Sequence, residues 1–274
     1  MTYFRFLQIF LGIPLILFGL LAFYQSKSAK KALPSAFSTW PVLNVVLSLI
    51  VVAFVWTTPW DNYLVATRVW WYDPNLVTGL VIGYVPVEEY TFFILQTSLT
   101  SLITFYLIRQ WPQAMAPGNF QPNLALNKWV TLLIGFFWLI STAFLLSGYS
   151  PTIYLTLIIS WAFIPIMIQT GFGADILWHY RRLVFWGIMP ITLFLAGADS
   201  IAILAGTWTI SSEKTLGILL GSILPIEEFT FFFITNVLVV FGMTLLLARQ
   251  SHERAAELPV LKNYIAIPNK AEAQ

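Results

Sequence analysis

The chain has 274 residues, 58% of them hydrophobic and only 9% charged, with a net charge of +2. A soluble domain carries about a quarter charged residues, so too little polar surface is present to wrap a water-soluble globule, and the mean hydropathy of +0.79 points to a bilayer. The absence of cysteine excludes disulfides, thiolate nucleophiles, iron–sulfur clusters and cysteine-ligated zinc, and the scattered basic residues offer no nucleic-acid surface.

Apolar stretches of spanning length fall near residues 5–24, 41–58, 78–108, 129–147, 151–170, 184–204 and 216–247. No small-x-small cleavage site follows the first, so it reads as a retained helix rather than a signal peptide. Loop signals separate the stretches: Ser26-Lys27-Ser28 with Lys30 and Lys31, Asp73-Pro74-Asn75, and the segment holding Pro112, Pro117 and Pro122. The apolar runs are continuous rather than alternating, which argues for helices and against spanning strands.

The basic residues set an orientation. With the N-terminus outside, Lys27, Lys30, Lys31, Arg109, Lys128, Arg181, Arg182, Arg249, Arg254, Lys262 and Lys270 are cytoplasmic, and only Arg5, Arg68 and Lys214 remain outside. The bias also supports an odd number of spans. The expected location is the plasma membrane, with the C-terminus in the cytoplasm.

The two halves resemble each other. Asp61 is followed nine residues later by Trp70, and then by Pro86-Val-Glu88-Glu89-Tyr-Thr-Phe92-Phe93. Asp199 is followed nine later by Trp208, and then by Pro225-Ile-Glu227-Glu228-Phe-Thr-Phe231-Phe232. The offset is 138 residues at the Asp and Trp and 139 at the Pro-x-Glu-Glu. The expected fold is all-α, with seven transmembrane helices arranged as two parallel three-helix repeats and a connecting helix (3+1+3). Residues 1–112 form the first repeat, 113–128 a Pro-rich cytoplasmic linker, 129–147 the connecting helix, 148–250 the second repeat and 251–274 a polar cytoplasmic tail. An odd connecting helix makes the repeats parallel, so both Glu-Glu pairs lie at one depth and can converge on one pocket.

Glu88 and Glu228 each precede a closing arginine by 21 residues, roughly 30 Å of helix at 1.5 Å per residue, near the outer edge of the hydrocarbon core. Each proline lacks an N–H and clashes with the preceding turn. The apolar segments 76–85 and 216–224 are therefore expected to belong to discontinuous helices whose later halves begin at the glutamates, buried in protein. Ionisable groups inside a span are costly and mark function by default. Within each pair the members diverge. Glu89, Phe93 and Gln96 share one helical face, as do Glu228, Phe232 and Thr235, while Glu88 and Glu227 lie about 100° around. Carboxyls in two environments can divide the roles of proton donor and acceptor.

Asp61 and Asp199 open the outer loops, either to orient the glutamates or simply as solvated loop ends. Trp60, Trp70, Trp71 and Trp208 read as an interfacial aromatic belt, with a share in the pocket as the alternative. His179 and His252 read as surface residues. No Gly-x-Gly-x-x-Gly opens a helix after a strand, no aspartate-rich segment suits magnesium diphosphate, and no lysine in the last span could form a retinal Schiff base.

Thr57-Thr-Pro-Trp-Asp61-Asn62-Tyr, Trp70-Trp-Tyr72, Pro86-Val-Glu-Glu89, Gly173-Ala-Asp175-Ile-Leu-Trp178 and Pro225-Ile-Glu-Glu228 together resemble the membrane-integral lycopene β-cyclases. These occur as two-subunit bacterial enzymes, fused single chains and domains of fungal bifunctional proteins. The resemblance covers nearly the whole chain up to about Arg249. It implies lycopene as substrate, γ-carotene as intermediate and β-carotene as product. It also implies membrane lipid and other carotenoid-pathway enzymes as surroundings, and no metal or cofactor. The family's motif maps onto Pro86, Glu88, Glu89, Pro225, Glu227 and Glu228. On this reading a protonated glutamate donates a proton to the terminal isopropylidene carbon, the nearby double bond attacks the resulting tertiary cation and closes a six-membered ring, and a carboxylate removes a proton. Asp61, Asn62 and Asp199 would support the acids, and Phe92, Phe93, Gln96, Phe231 and Phe232 would line the cation pocket. The rivals are a proton- or cation-coupled transporter built on the same repeats, and a carotenoid-binding protein without chemistry.

Overall fold

The computed structural model describes residues 1–26, 33–37, 39–111 and 118–257. Lys27, Lys30, Lys31, Lys262 and Lys270, together with residues 113–117 of the proposed linker and 258–274 of the proposed tail, lie outside them. Seven helices are long and apolar enough to cross a membrane. They are α1 (Tyr3–Tyr24), α2 (Val42–Ala66), α3 (Val87–Gln110), α4 (Leu124–Ser147), α5 (Ile153–His179), α6 (Arg181–Leu204) and α7 (Ile226–Leu247), followed by a short polar α8 (Arg249–Glu257). α3 and α7 are the most buried and form the centre. α4 is almost wholly exposed and packs mainly along α5. Its apolar outer surface is what lipid would cover, since exposed Leu139 and Leu146 have no protein partner face to bury them.

The apolar segments before the two prolines are hairpins, not half-helices. β2 (Val81–Ile82) pairs with β3 (Val85–Pro86), and β5 (Leu219–Leu220) with β6 (Leu224–Pro225). Gly83 and Gly221 turn these hairpins with φ of +69° and +57°, conformations that an L side chain resists. At Gly83 a Cβ would also strike the Asn62 side chain. Pro86 and Pro225 occupy the N-cap positions of α3 and α7, where their missing N–H costs nothing. Strands of two residues carry too few positions for an alternating pattern, which is why the sequence reads these segments as span.

A third strand pair joins the halves. β1 (Trp70–Tyr72) runs antiparallel to β4 (Trp208–Ile210), with Trp71 opposite Thr209. The loops after α2 and α6 are thus laced into one cap over the ends of α3 and α7. The start of α1 is tied in as well, since Tyr3 N donates to Leu76 O at 2.8 Å and Thr207 Oγ1 to Met1 O at 2.7 Å.

At the opposite end α5 breaks at Gly173, where a Cβ would lie 2.6 Å from Leu245 Cδ2. Immediately after the break, Asp175 takes two bonds from Arg254 of α8, at 2.9 and 2.7 Å, and one from the Asn123 backbone at 2.9 Å. The Gly173–Trp178 motif is therefore a clasp between elements, far from the glutamates along α5. His179 and His252, expected on the surface, are half-buried, packed against Phe120 and Trp40 respectively.

Candidate active site

The first turns of α3 and α7 carry the acidic pairs, and all four glutamates are buried. Their directions differ as the 100° step requires. Glu88 Oε1 accepts from the Thr78 backbone N–H at 2.6 Å, and Glu227 Oε1 from that of Leu216 at 2.7 Å. Each holds the strand segment before its own helix. Glu89 and Glu228 turn the other way and line one small cavity, of about 40 Å³, between the two halves.

Phenols meet both inward carboxyls. Tyr3, at the head of α1, and Tyr72, at the end of β1, both donate to Glu89 Oε2, the latter at 2.9 Å. Tyr154, at the head of α5, donates to Glu228 Oε1 at 2.7 Å. Burial, and then the adjacent Glu89 carboxyl, push the Tyr72 phenol well above its ordinary value, so it stays a neutral donor. Ile210 stands across the strand pair at the position that corresponds to Tyr72, and it can donate nothing. Glu89 thus faces two donors and Glu228 one.

Asp61 and Asp199 are not loop residues. They lie inside α2 and α6, 0% and 1% exposed, and both are within electrostatic reach of Glu89. This rules out the solvated-loop reading. Trp208 Nε1 donates to Asp199 Oδ1 at 2.9 Å. The matching residues of the first half, Asp61 and Trp70, make no such bond, and neither the Asp61 oxygens nor the Trp70 N–H has a partner among the described residues.

The remaining walls are aromatic. Phe92, Phe231 and Phe232 line the cavity with Phe6, Trp70 and Trp208. The belt expected of the tryptophans does not form: Trp60, Trp70 and Trp208 are each less than 10% exposed, and only Trp71 is half-exposed. A tryptophan at the end of a span has the same sequence appearance whether it turns to the headgroups or to a polar core. Phe93, one turn past Glu89, and Gln96, a further turn on, line a second cavity, which Phe231 shares. Asn62 fastens the first hairpin, accepting from Tyr84 N at 2.8 Å and donating to the Tyr90 hydroxyl at 2.9 Å.

A lycopene β-cyclase of Halobacterium salinarum is 36% identical to this chain over 253 residues, covering 89% of the chain and 95% of the archaeal protein. The chain belongs to the lycopene β-cyclase family. Within bifunctional lycopene cyclase/phytoene synthases the match is to part of the protein. That of Aspergillus oryzae is 36% identical over 211 residues, 74% of this chain and 35% of its own length, and that of Phycomyces blakesleeanus 35% identical over 201 residues, 71% and 32%. No family model and no solved structure matches.

In this cyclase the structure gathers, in and around the cavity between the halves, the Glu89, Glu228, Asp61, Asp199 and phenylalanines that sequence reasoning named. Sequence reasoning did not single out Tyr3 or Tyr154, and it quoted Tyr72 only as the end of a motif. The available signal was weak. Tyr3 and Tyr154 each stand at the head of the first helix of their half, but no repeated motif surrounds them, and they lie 86 and 74 residues from their carboxyl partners.

Proposed function

We propose that this enzyme closes the acyclic ends of lycopene into β-rings by redox-neutral acid–base chemistry, passing through γ-carotene to β-carotene. The carrying observation is that Glu89 and Glu228, one from each half, line a single aromatic cavity closed over by the β1–β4 cap.

Glu228 acts as the acid and Glu89 as the base. An ionised carboxylate only accepts hydrogen bonds, so the group facing two phenols is matched to the anionic state and the group facing one can retain a proton. Glu228 protonates the CH carbon of the terminal isopropylidene double bond, leaving a tertiary cation on the gem-dimethyl carbon. The double bond five carbons along attacks it, closing the six-membered ring and moving the charge to the methyl-bearing ring carbon. Glu89 removes the proton from the neighbouring ring carbon, and the electron pair becomes the ring double bond. One proton enters and one leaves, so no cofactor is consumed. Phe92, Phe231 and Phe232 present faces that stabilise the cation and exclude water that would quench it. Glu88 and Glu227 hold the segments over the site, and Asp61 and Asp199 serve the proton inventory beside Glu89.

The matched motifs, the lacing of β1 to β4 and the central place of α3 and α7 support two parallel three-helix repeats, 1–112 and 148–250, joined through the 113–128 linker and α4, with a tail at 251–274. The charge bias supports an outer N-terminus in the plasma membrane and a site near the outer leaflet, among lipid and other carotenoid-pathway enzymes. The experiment is expression in lycopene-accumulating cells with pigment analysis. Conversion to γ- and β-carotene is expected, and persistent lycopene beside folded membrane protein would overturn the reading.

A further inference from the structure

The second cavity is a larger, open groove of about 290 Å³ adjoining the catalytic chamber. Its sides are α2 and α5 and its floor is α3 and α7. The lining residues fall within 49–57 on α2, 161–169 on α5 and 231–239 on α7, so on these three helices it spans eight steps, about 12 Å at 1.5 Å per residue. It descends from the level of Phe231 away from the hairpins, and its surface is overwhelmingly apolar.

Two indoles close its upper end. Trp60 Nε1 donates to Leu157 O across the gap from α2 to α5, and Trp161 Nε1 donates back to Trp56 O, at 3.1 and 3.2 Å. Their rings stack 4.5 Å apart at 18°, and Trp60 stacks on Phe231 at 5.7 Å and 11°. Three nearly parallel aromatic planes thus stand where the groove meets the chamber, and Phe231 lines both cavities. Below this latch the groove opens sideways between α2 and α5. Val52 on one lip is 60% exposed and Ile168 on the other 69%, on the apolar surface that lipid covers.

We propose that this groove seats the stretch of a long polyene's conjugated chain next to its reacting end, the chain sliding in from the bilayer between α2 and α5 and passing that end beneath the tryptophan latch into the chamber while the remainder lies in lipid. The inference rests on the cyclase reading for the chemistry of the chamber. The groove's shape and position are independent of it. A flat, methyl-branched conjugated chain fits parallel aromatic planes and an apolar floor, and the shared Phe231 wall sets its reactive end beside the chamber. A lipid acyl chain is the competing occupant, and it has no use for a passage to buried carboxyls.

The test uses Val52→Trp and Ile168→Trp, each at an exposed lip where added bulk narrows the mouth without disturbing a packed core. Leu139→Trp on the exposed face of α4 is the control. The full chain, in phosphatidylcholine nanodiscs and in an E89Q background, is loaded with lycopene. Pigment retained after washing is measured together with the induced circular dichroism of the polyene. Each lip variant is expected to lower retained pigment about tenfold, with the dichroic band lost and the control unchanged. Retention equal to the control in both lip variants, or a groove that keeps acyl chains undisplaced by lycopene, overturns the proposal. Turnover is scored separately with Glu89 restored. If E89Q itself still makes β-rings, the acid–base reading fails while the pigment readout of the groove stands.

Discussion

Gln96 donates to Thr235 Oγ1 at 2.9 Å, and the two residues hold the same place in their halves, seven positions after Glu89 and Glu228. The contact marks the line along which α3 and α7 meet, one helical turn below Phe92 and Phe231. One turn deeper again, Thr100 donates to Asn236 Oδ1 at 2.8 Å and Asn236 to Thr192 at 3.1 Å. Where lipid removes the hydrophobic drive for helix association, such bonds and close packing set the approach of the halves. Gln96→Leu is expected to lower stability by about 1 kcal/mol. Thr235→Val removes the same contact from its other end, so the double change should cost less than the sum of the two singles. Thermal unfolding in detergent of the two singles and the double measures the coupling, and strict additivity would show that the contact does not join the halves energetically.

The four glutamates should separate into two functional classes. Glu89→Gln and Glu228→Gln are expected to lower turnover at least about a hundredfold, the span of a lost general acid or base. In Glu88→Gln and Glu227→Gln the amide oxygen can still accept from the backbone N–H of Thr78 or Leu216. Their loss should be mainly in stability, about 1 kcal/mol, with turnover kept within a few-fold. Pigment conversion normalised to membrane-inserted protein checks both. Equal losses at all four positions would contradict the division.

This division was half legible beforehand. The repeated Pro-x-Glu-Glu at an offset of 139 residues places the pairs, and the 100° step shows that their members diverge. Which member faces inward depends on the hairpins. Those are hidden because Leu219 and Leu220 or Val81 and Ile82 are as apolar as a span, and the reversals rest on single turn positions at positive φ, Gly83 in the first and Gly221 and Ser222 in the second. The phenol donors are set by tertiary contact alone. Likewise nothing in the sequence distinguishes buried Trp60 from a headgroup-facing tryptophan, since both end an apolar run.

The tyrosines give a graded test of the acid and base assignment. Tyr154→Phe removes the phenol that meets Glu228 and is expected to slow turnover about tenfold, the worth of one hydrogen bond to a charged or ionising group. Tyr3→Phe and Tyr72→Phe each leave Glu89 one donor, so either single should cost less than the pair together. A double variant no slower than its singles would show that the two phenols do not share the support of Glu89.

The Asp175–Arg254 clasp belongs to stability and not to chemistry. Asp175 is almost fully buried and Arg254 is 17% exposed, so Arg254→Ala strands a carboxylate beside the break in α5. The expected cost is about 3 kcal/mol, read as a lower unfolding temperature, with turnover per folded molecule unchanged. Loss of activity without loss of stability would tie the far end of α5 to the site.

The chamber fixes the order of events on a substrate with two reactive ends. Glu89 and Glu228 line one cavity, and on the proposed chemistry that single pair of carboxyls serves one acyclic end at a time. Both ends of one lycopene molecule therefore cannot be ionised at once. The first ring must leave the chamber before the other end can enter, and in between the molecule is monocyclic. Early in a single-turnover time course in nanodiscs, γ-carotene is expected to rise before β-carotene and then fall as β-carotene takes its place. Supplied γ-carotene should be converted without a lag, because its remaining acyclic end meets the same pair of carboxyls. Bicyclic product at the earliest times, with no monocyclic precursor, would require two chambers and would contradict the convergence of the halves on one.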